Sequence, residues 1–159
     1  MRQQILSLLN KASDEEVLKT KPHEIHNLLK LEKSEKDGKG VYEIIGGPPK
    51  RNIKRTRNLP HFERFDGCWF DFTILIDQHP KSAEIFGFSF EIRFPDDYPV
   101  KFLRIDLNTP GHNNDMRGMR FHVHPGSDDF RIHSAPMSPL EILHLFLYGL
   151  DISKRRSSS

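Results

Sequence analysis

The chain has 159 residues, of which 36% are hydrophobic and 29% are charged, so it can bury a core and fits the size of a single domain. Its 24 basic and 22 acidic residues nearly balance, and a net charge of +2 does not by itself indicate a nucleic-acid partner. One cysteine, Cys68, excludes an intramolecular disulfide and favours a reducing, cytoplasmic setting. No apolar run approaches the roughly 20 residues of a membrane span, so we expect a soluble protein without a membrane partner.

Residues 1–48 are predicted to form a charged, helical N-terminal extension. Ser13-Asp14-Glu15-Glu16 has the spacing of a capping box, which predicts that a helix starts at Ser13. Pro22 suits the first turn of a second helix. The apolar segment from Val41 to Ile45 is a candidate for a short strand before a glycine and proline stop.

Residues 49–60 are predicted to form a basic loop. Its cations are Lys50, Arg51, Lys54, Arg55 and Arg57, with no acidic residue among them. Such a run attracts phosphate or an acidic protein surface, so these five residues are the candidate nucleic-acid contacts. The alternative is a solvated loop whose cations contact nothing. At the other end of the chain, residues 153–159 are predicted to be a disordered tail.

A meander of three strands is predicted between residues 69 and 107. Apolar side chains occupy every second position in the segments 70–76 and 88–94, which is typical of strands with one buried face. The polar segment between them, 78–82, predicts an antiparallel turn. A third strand follows at 102–107. Because the chain contains 12 phenylalanines and many of them fall in these segments, we expect a Phe-rich buried face.

Histidines are concentrated in the C-terminal third of the chain. His122 and His124 share one face of a predicted strand with about 7 Å between their α-carbons, so both imidazoles could bind one metal ion. The candidates for further ligands are His112, His133, Asp128 and Asp129. The alternatives are that the pair is the polar face of an amphipathic strand, or that His124 caps the following Pro-Gly turn.

The order of the motifs resembles that of the ubiquitin-conjugating enzyme family and its inactive relatives. The motifs are the corner Phe94-Pro95-Asp96-Asp97-Tyr98-Pro99, the turn His124-Pro125-Gly126 and the helix start Ser138-Pro139. In the family, the corresponding motifs are a Phe-Pro-x-x-Tyr-Pro corner, a His-Pro-Asn turn and a Ser-Pro helix start. The resemblance implies an α+β fold in which residues 61–152 form an antiparallel meander sheet flanked by helices.

The catalytic cysteine of that family is missing. Ile132-His133 stands at its position, and Gly126 replaces the asparagine of the turn. Cys68 lies far upstream and is predicted to be a small buried residue. Because a thioester carrier needs a thiolate, we do not expect conjugating activity and assign no catalytic residue, with His133 as the sole candidate.

The resemblance implies a non-catalytic protein-interaction domain. Its partner would be a ubiquitin-like or other protein in a bacterial or related conjugation-type system. The partner-binding residues implied are Phe94, Tyr98, His124, Pro125, Gly126 and Pro139. Two alternatives stay open: an enzyme that uses the histidine cluster, with a metal ion as its one candidate cofactor, and a basic accessory protein that binds nucleic acid.

Overall fold

The computed structural model describes residues 1–34, 40–49, 53–79, 82–111 and 120–152. Lys50, Arg51, His112 and the predicted tail at 153–159 lie outside these ranges. The described part is an α+β fold built on one antiparallel sheet. Among its helices, none has the length and apolar character that crossing a membrane requires.

Three helices and seven strands make up the described fold. In chain order they are α1 Arg2–Asp14, α2 Pro22–Leu28, β1 Leu29–Lys33, β2 Val41–Gly46, β3 Phe62–Glu63, β4 Trp69–His79, β5 Ser82–Arg93, β6 Phe102–Leu107, β7 Phe121–Pro125 and α3 Pro139–His144. A π-helical turn, Leu145–Gly149, continues α3. The strand order is β1-β2-β4-β5-β6-β7, with β3 paired to β4. The sheet is therefore wider than the three-strand meander expected from the sequence.

The N-terminal segment is part of the sheet and not only helical. β1 and β2 pair with each other, and β2 pairs with β4, so this segment extends the meander. The predicted helix at Pro22 and the strand at 41–45 are both present. The helix start predicted at Ser13 is wrong, because α1 ends at Asp14 and the Ser13 hydroxyl donates to the Thr20 carbonyl at 2.9 Å. Burial of an apolar stripe upstream of Ser13 outweighs the local capping pattern.

Stacked phenylalanine rings fill the core, as the alternating pattern predicts. Phe72 of β4 stacks between Phe62 at 5.7 Å and Phe90 at 5.0 Å between ring centroids. Phe146 of the π-helical turn meets the edges of Phe70 and Phe90 at about 6 Å. These rings join the C-terminal helix to the middle strands. The N-cap predicted at Ser138 is also present, since its Oγ accepts from the Glu141 amide at 3.2 Å.

Candidate metal centre

The sheet face opposite the aromatic core carries charged and polar side chains. Successive side chains of a strand point to opposite faces, so each strand contributes every second residue to this face. In one row across the sheet, Asp71, Glu91, Arg104 and His124 are consecutive register partners. In the next row the partners are Thr73, Ser89, Asp106 and His122. Antiparallel pairing thus brings residues from four strands to one polar face.

Asp106, His122 and His124 bring three potential metal-ligand atoms together. The Nε2 atoms of both histidines lie 3.6 Å from Oδ2 of Asp106. One ligand atom from each residue falls within 4.8 Å of the other two. Two ligands held about 2.1 Å from a tetrahedral zinc ion are about 3.4 Å apart, so both histidine-to-aspartate separations already approach that geometry.

The two histidines are buried, which is unusual for surface strand residues. His122 is 4% and His124 is 5% exposed, and their rings meet edge to face at 4.9 Å. Within the described part of the chain, Nδ1 of His124 is buried and has no hydrogen-bond partner. Nε2 is the ring nitrogen that faces Asp106, so this unpartnered Nδ1 is not the atom that would hold an ion at the centre. The pair does lie on the polar face of an amphipathic strand, but that face is buried here, and the Gly126 amide of the turn donates to the backbone carbonyl of His124 at 3.2 Å and not to its ring.

Arg104 orients the carboxylate of Asp106. Its Nε donates to Asp106 Oδ2 at 2.9 Å, and its Nη1 lies 2.6 Å from Asp128 Oδ1. Burial by itself would lower the pKa of Arg104. The carboxylates of Asp106 and Asp128 together raise it by a larger amount, so the pKa lies above its ordinary value. A carboxylate held by a fixed guanidinium is a pre-oriented ligand.

A groove of about 800 Å³ runs along the same face beside Asp106. Glu91 lies at its floor with only 1% exposure, and Arg55 Nε lies 3.2 Å from its carboxylate. Nε and Nη2 of Arg55 also donate to the Asp71 carboxylate, at 2.9 and 3.1 Å. Burial raises the pKa of Asp71, and the Arg55 contact opposes that shift. The floor of the groove is thus a network of paired charges.

Two arginines in the described part of the basic loop contact other parts of the protein. Arg55 reaches the groove network, while Arg57 donates to the Gly67 carbonyl at 2.9 Å and lies over the Trp69 ring. Lys54 is exposed and lines the groove. The alternative of a loop whose cations contact nothing is therefore wrong for Arg55 and Arg57, and nucleic-acid binding by this loop stays a prediction.

The residues predicted to bind a partner separate into buried and accessible ones. Phe94, His124 and Pro139 are buried, and the Tyr98 ring packs 5.2 Å from that of Phe94. Tyr98, Pro125 and Gly126 are partly accessible. Partner binding itself stays a prediction, and the buried members could contribute to it only by shaping the surface.

His133 and Cys68, the two candidates for nucleophilic or proton-transfer roles, have opposite environments. His133 is exposed. Its neighbour Ile132 forms a bridge to Val123 at the edge of β7, and this places the His133 ring 6.1 Å from that of His122. Cys68 is buried, and burial raises the pKa of its thiol to about 12. The thiol is therefore protonated at neutral pH, as a structural cysteine would be.

Sequence reasoning missed Asp106 and proposed other acidic ligands. Asp128 pairs with Arg104, and Asp129 belongs to the exposed loop after β7, so neither joins the cluster of three ligand atoms. The available signal was that Asp106 occupies a polar position in the alternating strand at 102–107, the strand that pairs with the one carrying both histidines.

The chain was compared with family models, with curated proteins and with solved structures, and none of them matches it.

Proposed function

We propose that the protein is a metal-dependent enzyme whose divalent ion is bound by Asp106, His122 and His124. The observation that carries the proposal is the convergence of three ligand atoms within 4.8 Å on one sheet face. Two imidazoles and one carboxylate form a ligand set that suits zinc or ferrous iron. Three protein ligands leave a coordination position for water or substrate, which distinguishes a catalytic site from a closed structural one.

Metal-assisted hydrolysis is the reaction that best suits this arrangement. A bound divalent ion would polarise the substrate and lower the pKa of a coordinated water. Arg104 would hold the Asp106 carboxylate in place through its 2.9 Å hydrogen bond. His133 is accessible beside His122 and can transfer a proton to or from the substrate, which is the role we assign to it.

The test is a calorimetric titration of the purified protein with zinc, manganese and ferrous ions, followed by an assay with nitrophenyl esters. We expect binding of one ion and hydrolysis that depends on it. His124→Ala should lose both, whereas His144→Ala should keep both, because His144 is exposed on α3 and contacts the Tyr148 ring, away from the ligand cluster. Equal binding by the two variants would overturn the proposal.

A protein-interaction role is the second candidate. It is favoured by two exposed apolar side chains, Phe130 at 56% and Ile132 at 45%, in the segment where the resemblance places the family's active site. Such side chains at a sheet edge suit a partner protein, including a ubiquitin-like one. We expect Phe130→Ser with Ile132→Ser to abolish binding of a ubiquitin-like protein in surface plasmon resonance. Binding that is unchanged by both substitutions would remove this candidate surface.

A further inference from the structure

Two guanidinium groups of the groove next to the candidate metal centre lie over the same aromatic ring. The central carbon of Arg93 lies 5.1 Å and that of Arg104 lies 5.8 Å from the centroid of the Phe102 ring. Both arginines also contact the same carboxylate, since Glu91 is 2.9 Å from Arg93 Nε and 3.6 Å from Arg104 Nη1. One aromatic ring and one buried carboxylate thus hold two like charges together.

The acidic groups around the pair do not use all of its hydrogen-bonding capacity. Glu91 is shared among three guanidinium groups, because Arg55 also lies 3.2 Å from it. Arg93 uses only its Nε, and its two terminal nitrogens donate to no group in the described ranges. These nitrogens carry four N–H donors, and the side chain is 28% exposed. Arg93 therefore lines the groove with N–H donors that no group in the described ranges accepts.

We propose that Arg93 and Arg104 bind a phosphate group of the substrate beside the metal ion. This inference rests on the proposed function and specifies its substrate as a phosphate ester. Guanidinium groups recognise phosphate and carboxylate through paired hydrogen bonds. A phosphate ester offers more oxygens and more negative charge than a carboxylate, so it is the better ligand for both forks and the neighbouring ion together.

The carboxylate of Asp128 contacts Arg104 at this site. Its Oδ1 lies 2.6 Å from Arg104 Nη1, although its side chain is 71% exposed on the loop after β7. An exposed ion pair contributes little stability, so an incoming phosphate can displace this carboxylate from Arg104. Asp128 would then compete with the anion, and its removal should strengthen binding.

The experiment measures inorganic phosphate binding by calorimetry at low ionic strength, with acetate as the carboxylate probe. Arg93→Gln should weaken phosphate binding about tenfold or more, because it removes a charged fork. Asp128→Asn should strengthen it several-fold. Arg57→Gln is the matched control, since Arg57 lies outside the groove and pairs with Glu63. Thermal melting of each variant verifies folding, and Arg93→Lys, which keeps the charge without the fork, should bind with intermediate affinity.

Zinc titrations of the same variants separate this inference from the proposed function. Zinc affinity should stay unchanged in Arg93→Gln and Asp128→Asn, because neither residue belongs to the ligand cluster. Zinc binding with no effect of Arg93→Gln on phosphate affinity would overturn the phosphate site alone. Phosphate binding that responds to Arg93→Gln in a protein that binds no divalent ion would overturn the metal proposal alone. Acetate binding as tight as phosphate would overturn the assignment to phosphate.

Discussion

Oδ2 of Asp106 on β6 lies 3.6 Å from Nε2 of His124 on β7, although the two residues are not register partners. Asp106 pairs directly with His122, and its carboxylate reaches diagonally toward the next row. Both imidazoles therefore face a single carboxylate oxygen. An ion bound at this point would link β7 to β6 through their side chains.

Metal binding should therefore stabilise the fold. An ion that binds only the native state adds about 2.7 kcal/mol to the free energy of unfolding when its concentration is 100 times its dissociation constant. We expect zinc to raise the melting temperature of the parent and a chelator to reverse the effect. Asp106→Ala should show neither response, while Asp129→Ala should behave as the parent. A zinc-induced shift of equal size in Asp106→Ala would show that the ion binds elsewhere.

Gly46 allows β2 to pass over the aromatic stack. A β-carbon at this position would lie 2.4 Å from the ring of Phe72, which is fully buried between two other rings. Gly46→Ala should therefore destabilise the protein by about 1 to 3 kcal/mol through overpacking, as measured by urea unfolding. Gly149→Ala is the control, because its nearest contact is the flexible end of Leu145. Similar losses in the two variants would mean that the Phe72 contact is not the cause.

Arg64 contacts the C-terminal end of the π-helical turn that continues α3. Its Nη1 donates at 2.8 Å to the carbonyls of both Phe146 and Leu150, and it forms an ion pair with Asp66. Arg64→Met should cost about 3 kcal/mol in chemical denaturation, because it leaves the buried Phe146 carbonyl, the partly buried Leu150 carbonyl and a carboxylate without their donor. Arg57→Met should cost less than about 1 kcal/mol, since its pair with Glu63 is half-exposed. A loss below 1 kcal/mol for Arg64→Met would contradict this account.

The buried thiol of Cys68 should make stability depend on alkaline pH. Burial raises its pKa from 9.0 to about 12, so between these values the native state keeps a proton that the unfolded chain releases. The stabilisation linked to this proton is complete below pH 9 and falls as the pH rises, by about 2 kcal/mol at about pH 10.5. The difference in unfolding free energy between the parent and Cys68→Ala should therefore be constant up to pH 9 and shrink above it. A difference that does not change with pH would refute the prediction.

The sequence alone determined the local elements of this protein. The alternation of apolar residues at 70–76 and 88–94 predicted two long strands, and Ser138-Pro139 predicted the start of α3; all three are present. These patterns are local, since side-chain period and capping depend on residues a few positions apart. Where tertiary packing opposed a local signal, as at Ser13, packing prevailed.

Only the tertiary structure decided which residues form the candidate site. Asp106 and His124 come together through the register of β6 and β7, and Arg55 reaches Glu91 from a loop that precedes β3. Register depends on the pairing of whole strands, and a shift of one residue would turn every side chain to the other face. The histidine spacing therefore indicated two ligands, but the third ligand and the arginine pair of the groove followed from the pairing of strands across the sheet.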